Sequence, residues 1–212
     1  MRNYCSAFYI ILVCFSFAGC NPVNPGKQQV KVDSIPGQEK NPYAGIDQSP
    51  MDMSYYPADY PLQKMSLKDS AHQPFVRLIY SRPHKKGRDV FGDGEKNLCR
   101  YGKAWRLGAN EATEILFFTD VRIGGTKVNK GMYVMYCIPF EKNWIIVFNS
   151  NLHTWGLQMD TTKDVFKTNI PVETLSPALE DFTMVFTPAP GGTNLIMAWD
   201  NVKTSLPISF IQ

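Results

Sequence analysis

The side chains with chemistry to offer crowd into one stretch, Tyr80 to Thr113. Between Arg77 and Arg106 there are nine Lys or Arg and three Asp or Glu, so this window carries +6 while the whole chain carries +3. The remainder is therefore net −3. A guanidinium presents a planar fork of donors that matches carboxylate, sulfate or phosphate. Arg82, Arg88 and Arg106 converge on such an anion if the loop folds back. The alternative is a solvated basic loop, with one arginine tied to a carboxylate such as Glu111. Asn110 and Glu111 can hydrogen-bond sugar hydroxyls or an amide, and Tyr101 and Trp105 can stack on a ring. Against that stands a plainer arrangement, with Trp105 in the core and Asn110 and Glu111 capping a turn.

The residues of a catalytic site are harder to assemble. The three histidines, His72, His84 and His153, stand at no metal-ligand spacing with another His, Cys or carboxylate. No metal and no cofactor is expected. Ser81 lies near His84 in sequence, but no nucleophile elbow surrounds it. Glu111 with Glu114 or Asp120 could supply the two carboxylates of a glycoside hydrolase. Two residues three apart on one strand face opposite sides, however, which weakens Glu111 and Glu114 as a pair. Gly124-Gly125 and Gly191-Gly192 precede no helical pattern, so they read as turns and not as phosphate-binding loops.

The elements that must position these residues are strands. Phe75 to Arg82 alternates, with Val76, Leu78 and Tyr80 on one face. Similar runs occupy Thr113–Asp120, Val121–Ile123, Thr126–Val128, Met132–Ile138 and Asn143–Asn149. Further strands are expected at Trp155–Met159, Val165–Ile170, Phe182–Phe186, Leu195–Trp199 and Val202–Ile208, and a short helix within Leu62–His72. Asn129-Lys130-Gly131 is a hairpin-loop signal. This pattern predicts an all-β domain over residues 62–212, an antiparallel β-sandwich or a related barrel. Trp144, Trp155 and Trp199 are expected in its core, the alternative being a platform for a sugar ring.

The N-terminus reads as an export signal. Arg2 is followed by the apolar run Ala7–Ala18 and by the small residues before Cys20. Phe17-Ala18-Gly19-Cys20 resembles the bacterial lipobox, in which the cysteine is lipidated, although that motif prefers Leu where Phe17 stands. Residues 1–19 are thus expected to be a lipoprotein signal peptide with Cys20 as the membrane anchor, the alternatives being a plain secreted protein or an uncleaved anchor helix. Residues 20–61 carry seven prolines and three glycines and read as a tether. The expected place is the bacterial cell envelope, on the outer membrane facing the periplasm, with surface exposure left open. Export leaves Cys99 and Cys137 in an oxidising compartment. They form either a disulfide or two unpaired thiols, at least one of them buried.

Tyr80-Ser81-Arg82-Pro83, Lys86-Gly87-Arg88, Phe91-Gly92, Tyr101-Gly102, Trp105-Arg106 and Gly108-Ala109-Asn110-Glu111-Ala112-Thr113 resemble the signature of the bacterial domain-of-unknown-function family 2911. Gly131-Met132-Tyr133, Ile138-Pro139, Trp144-Ile145-Ile146 and Trp155-Gly156 continue the likeness, which spans about residues 70 to 210. The resemblance implies an exported or lipid-anchored β-rich domain and transfers no activity. One segment departs from the family: the link from Phe-Gly to Tyr-Gly is longer and polar here, Asp93 to Arg100. The favoured function is a non-enzymatic module that binds a polar or anionic ligand, a glycan among the candidates, through Arg82, Arg88, Tyr101, Trp105, Arg106, Asn110 and Glu111. The alternatives are a hydrolase of envelope or extracellular polymers that uses Glu111, and a protein–protein module of the envelope. No nucleic-acid partner is expected from so mild a net charge.

Overall fold

The alternation seen in the sequence places the strands well. In the computed structural model, which describes residues 49–66 and 73–211, β1 (Met51–Tyr56) is followed by a helix α1 (Tyr60–Ser66) and by β2 (Val76–Ser81). Then come β3 (Phe91–Gly92), β4 (Cys99–Arg100), β5 (Thr113–Phe117), β6 (Val121–Ile123), β7 (Thr126–Val128), β8 (Gly131–Pro139) and β9 (Asn143–Asn149). Two long strands finish the chain, β10 (Asp164–Ala189) and β11 (Gly192–Phe210). Residues 1–48, with the expected signal peptide, Cys20 and most of the expected tether, lie outside the described residues, as does His72 with the second half of the expected helix.

Nine strands make one antiparallel sheet in the order β1-β2-β5-β8-β9-β10-β11-β6-β7, and β3 and β4 form a small parallel pair apart from it. The sheet becomes a sandwich because β10 belongs to both layers. Its first part, Asp164–Pro171, pairs with β9, and the rest, from Val172, pairs with β11. Register shifts between Thr174 and Leu179 and between Leu179 and Thr183 mark bulges. Such bulges let a strand bend sharply. Two strands expected at Val165–Ile170 and Phe182–Phe186 are therefore one continuous, kinked strand. The same holds for Leu195–Trp199 and Val202–Ile208, which both lie within β11. The sheet does not close into a barrel.

Three sequence expectations change. Met51–Tyr56 falls in the proline-rich segment read as tether, yet it pairs residue by residue with β2, from Met51 opposite Ser81 to Tyr56 opposite Val76. The folded sheet thus starts before residue 62. Trp155–Met159 is loop and not strand. Trp155 is 55% exposed, whereas Trp144 and Trp199 are fully buried as expected.

The core lies between the layers. Val76, Leu78, Tyr80, Ile115, Phe117, Ile146 and Phe148 of one layer meet Phe182, Met184, Leu195, Met197, Leu206 and Ile208 of the other. At one end it becomes an aromatic cluster: Trp105 stacks on Trp199 at 5.8 Å and meets Trp144 and Phe182 edge-on. A fully buried large apolar side chain contributes about 1.5–3 kcal/mol, against about 0–1 kcal/mol for an exposed ion pair. The aromatic cluster, not the surface charges, fixes the floor of the site described next. Cys99 and Cys137 are both buried, unpaired thiols, and burial raises both well above the ordinary thiol range.

Candidate anion-binding site

Trp105 and Arg106 owe their position to the sheet edge. The Trp105 amide donates to the Cys137 carbonyl at 2.7 Å, and the Cys137 amide donates back at 2.9 Å, which pins the segment to β8. Leu107 then turns inward with φ +55° and becomes fully buried. Gly108 passes so close to the end of β2 that a Cβ would lie 2.8 Å from the Ser81 carbonyl oxygen. That approach excludes any other residue and allows the Ala109 amide to donate to the same oxygen at 2.9 Å. Thr113 Oγ1 locks the turn by donating to the Leu107 carbonyl at 2.7 Å.

The loop after β2 docks on the other layer. The Lys85 amide donates to the Glu180 carbonyl and the Phe182 amide to the Pro83 carbonyl, at 2.8 and 3.0 Å. Around these bonds His84 pairs with Asp181, and Lys85 Nζ meets Asp200 Oδ1 at 2.5 Å. The Lys86 amide donates to Glu180 Oε1 at 2.7 Å. Farther along, Arg82 Nε lies 3.4 Å from Asp52 of β1. The basic window is thus divided. Part of its charge is neutralised by carboxylates of β1, β10 and β11.

Four of the other cations gather at one cavity. Arg88, Arg100, Lys103 and Arg106 line a space of about 430 Å3 whose floor includes Trp105 and Trp199, and no Asp or Glu lines it. None of these four cations is ion-paired with a carboxylate among the described residues. Arg88 is oriented by its own loop: Nε donates to the Lys85 carbonyl at 3.0 Å and Nη2 to the His84 carbonyl at 2.5 Å. Arg106 Nη1 donates to the Trp155 carbonyl at 3.1 Å, and its guanidinium carbon sits 5.8 Å from the centroid of the Trp155 ring. Burial lowers the Arg106 guanidinium from its ordinary value. A cation stripped of part of its water gains more from an incoming anion than an exposed one does.

A family model described as Protein of unknown function (DUF2911) matches residues 62–208. The chain belongs to this family. No curated protein and no solved structure matches it. In this member of the DUF2911 family the polar segment Asp93 to Arg100 builds one wall of the cavity through Asn97, Leu98, Cys99 and Arg100. The Asn97 side-chain amide folds back over Gly92 and Gly94, within 2.9 and 2.8 Å of where a Cβ would stand.

Of the residues expected at the site, Arg88, Trp105 and Arg106 come together. Arg82 turns instead toward Asp52. Tyr101 lies outside the cavity lining, and its hydroxyl pKa is raised, first by burial and then by the charges of Glu141 and Asp93. Asn110 adopts φ +55° in the turn before β5 and does not line the cavity. Glu111 faces a different space of about 280 Å3, which it shares with Ala112, Glu114, His153, Thr154 and Trp155. The two glutamates are not kept apart by strand alternation, because β5 begins at Thr113 and Glu111 precedes it. Arg100, Lys103 and Asn97 were not singled out from the sequence, and Trp155 was expected in the core, not beside the site. For Arg100 and Lys103 the available signal was charge on both sides of the Tyr101-Gly102 turn.

Proposed function

We propose that the chain is an exported, lipid-anchored binding module, held to a bacterial envelope membrane through Cys20, and that the basic cavity takes an anionic ligand. The observation that carries the ligand reading is the lining: four cations, two aromatic side chains and no carboxylate around one concave space. A typical small-molecule site is likewise a concavity of about 300–1,000 Å3 with few, well-placed polar groups. Arg88 and Arg106 are held by backbone carbonyls, so less ordering is needed when an anion arrives. Arg100 and Lys103 supply the charge that is not tied to the fold.

A thermal-shift panel of uronates, phosphate and sulfate, run on the full chain and on an Arg100→Ala/Lys103→Ala variant, tests this. A ligand at about 100 times its Kd adds about 2.7 kcal/mol of stability. The expected result is a rise in Tm of the wild type that the variant loses while keeping its own unliganded Tm. Equal shifts in both proteins, or none in either, would remove the cavity from consideration.

A second reading, a hydrolase with Glu111 as acid or base, draws support from the shared cavity of Glu111 and Glu114. Glu111 is exposed, however, and a general acid usually works in a sheltered site. Loss of turnover of an envelope glycan on Glu111→Gln would favour that reading; full turnover in the variant would dismiss Glu111 from it.

A further inference from the structure

Trp155 is an unusual residue to leave in water. Its ring is 55% exposed on the loop after β9, and the loop is fixed rather than loose. The Ala112 amide donates to the Thr154 carbonyl at 3.2 Å, and Arg106 holds the Trp155 carbonyl. Gly156, at φ +76°, packs so tightly that a Cβ would lie 2.9 Å from the Ala112 Cβ. An exposed indole in a rigid loop offers a flat apolar surface with little ordering cost.

The surroundings of this ring differ on its two sides. On one side Arg106, Gly156 and Leu157 border the basic cavity. On the other, Trp155 joins Glu111, Glu114, His153 and Thr154 around the second cavity. Glu114 Oε1 lies 3.5 Å from His153 Nδ1, whereas Glu111 has no ion-pair partner among the described residues. Carboxylates repel a phosphate or sulfate and accept hydrogen bonds from hydroxyls. The part of a ligand above Trp155 must therefore be rich in hydroxyls and flat enough to lie on an indole, and its negative charge must sit on the arginine side.

We infer that Trp155 is the stacking platform for a sugar ring, and that the ligand is an oligosaccharide bearing uronic-acid carboxylates. Hydroxyls of one residue bond to Glu111 and Thr154, and the carboxylate of the neighbouring residue reaches Arg106 at the edge of the basic cavity. This inference rests on the anion-binding reading and narrows its ligand to one class. A uronate without a sugar partner over Trp155, or a simple inorganic anion, would use only half of the arrangement.

The test is a fluorescence and calorimetric titration of the full chain with a galacturonic acid trimer, its methyl ester and inorganic phosphate. The trimer is expected to bind and to shift tryptophan emission. Trp155→Ala should weaken it by about tenfold or more, with phosphate binding unchanged, and Trp155→Phe should recover part of the loss. The methyl ester should bind more weakly than the acid. If phosphate binds and the trimer binds no better, or if Trp155→Ala leaves trimer affinity intact, the sugar platform is wrong while the anion site stands. If neither the trimer nor phosphate binds, the anion reading and the platform fall together.

Discussion

The guanidinium of Arg106 lies 5.8 Å from the centre of the Trp155 ring and donates to the Trp155 carbonyl at 3.1 Å, so one side chain holds both the ring and the backbone of a loop 49 residues away. Removing it disturbs structure and charge together. Arg106→Lys keeps the charge but loses the planar fork, and should lower stability by about 1 kcal/mol. Urea denaturation of the two proteins checks this; an unchanged midpoint would mean that the contact adds nothing to the fold. Loss of binding on replacing Arg106 is for the same reason weaker evidence than loss on replacing Arg100 and Lys103.

Gly156 should tolerate no side chain. Its φ of +76° and the 2.9 Å approach of a Cβ to Ala112 combine backbone strain with a clash. Gly156→Ala is expected to cost about 1–3 kcal/mol, read as a lower midpoint in chemical denaturation. Gly125→Ala makes a useful comparison, since it shares a positive φ but meets no atom within 4 Å. It should cost less. An equal loss in both would leave backbone strain as the whole explanation and remove the packing against Ala112.

Tyr80 ties the two layers together. Its hydroxyl accepts from the Met184 amide at 3.0 Å, and burial, helped by the nearby Asp52 charge, pushes its pKa up to about 12. An unfolded tyrosine ionises near pH 10, so above that pH the unfolded chain gives up its proton first. The stabilising contribution is complete below about pH 10 and is lost as pH rises toward 12, at no more than about 1.4 kcal/mol per pH unit. Tyr80→Phe should cost about 1–3 kcal/mol at neutral pH by leaving the amide unpaired. It should also make the alkaline fall in stability shallower. A fall of the same slope in both proteins would show that another group governs it.

The two buried thiols predict slow chemistry. With both pushed up by burial, Cys99 and Cys137 should resist alkylation at pH 8 in the folded protein and react fully in denaturant. Peptide mass mapping with a different label for each stage resolves this. A mass two hydrogens short on the joined peptides would mean a disulfide and would contradict the unpaired state.

Much of this fold could be read from alternation alone. β2 and β5 show the period of two that a half-buried strand requires, and β9 shows it over its first half, whereas β8 buries Val134 to Cys137 in succession. β1 was hidden because Pro50 and Pro57 flank it within a proline-rich segment; its short alternation of Met51, Met53 and Tyr55 against Asp52 and Ser54 leaves the two methionines exposed, and pairing with β2 makes it a strand. That omission had a consequence at the site, since Asp52 of β1 is the carboxylate that takes Arg82 away from the cavity. The run Trp155 to Met159 looked like a strand because it alternates, but Gly156 in the left-handed region breaks it into a loop and turns Trp155 outward. Arg88, Trp105 and Arg106 were legible as residue types. Which cations would be neutralised was not, because Glu180, Asp181 and Asp200 reach the loop from strands about 100 residues away.

The most direct test of the basic cavity is to see where an anion sits. Crystals grown without sulfate or phosphate and soaked in selenate would give an anomalous signal at each bound anion. The strongest peak should lie inside the cavity, within hydrogen-bond reach of Arg106 and of Arg100 or Lys103, and should vanish in Arg100→Ala/Lys103→Ala crystals. Peaks confined to lysines elsewhere on the surface, with the cavity empty in wild-type crystals, would contradict an anion site there.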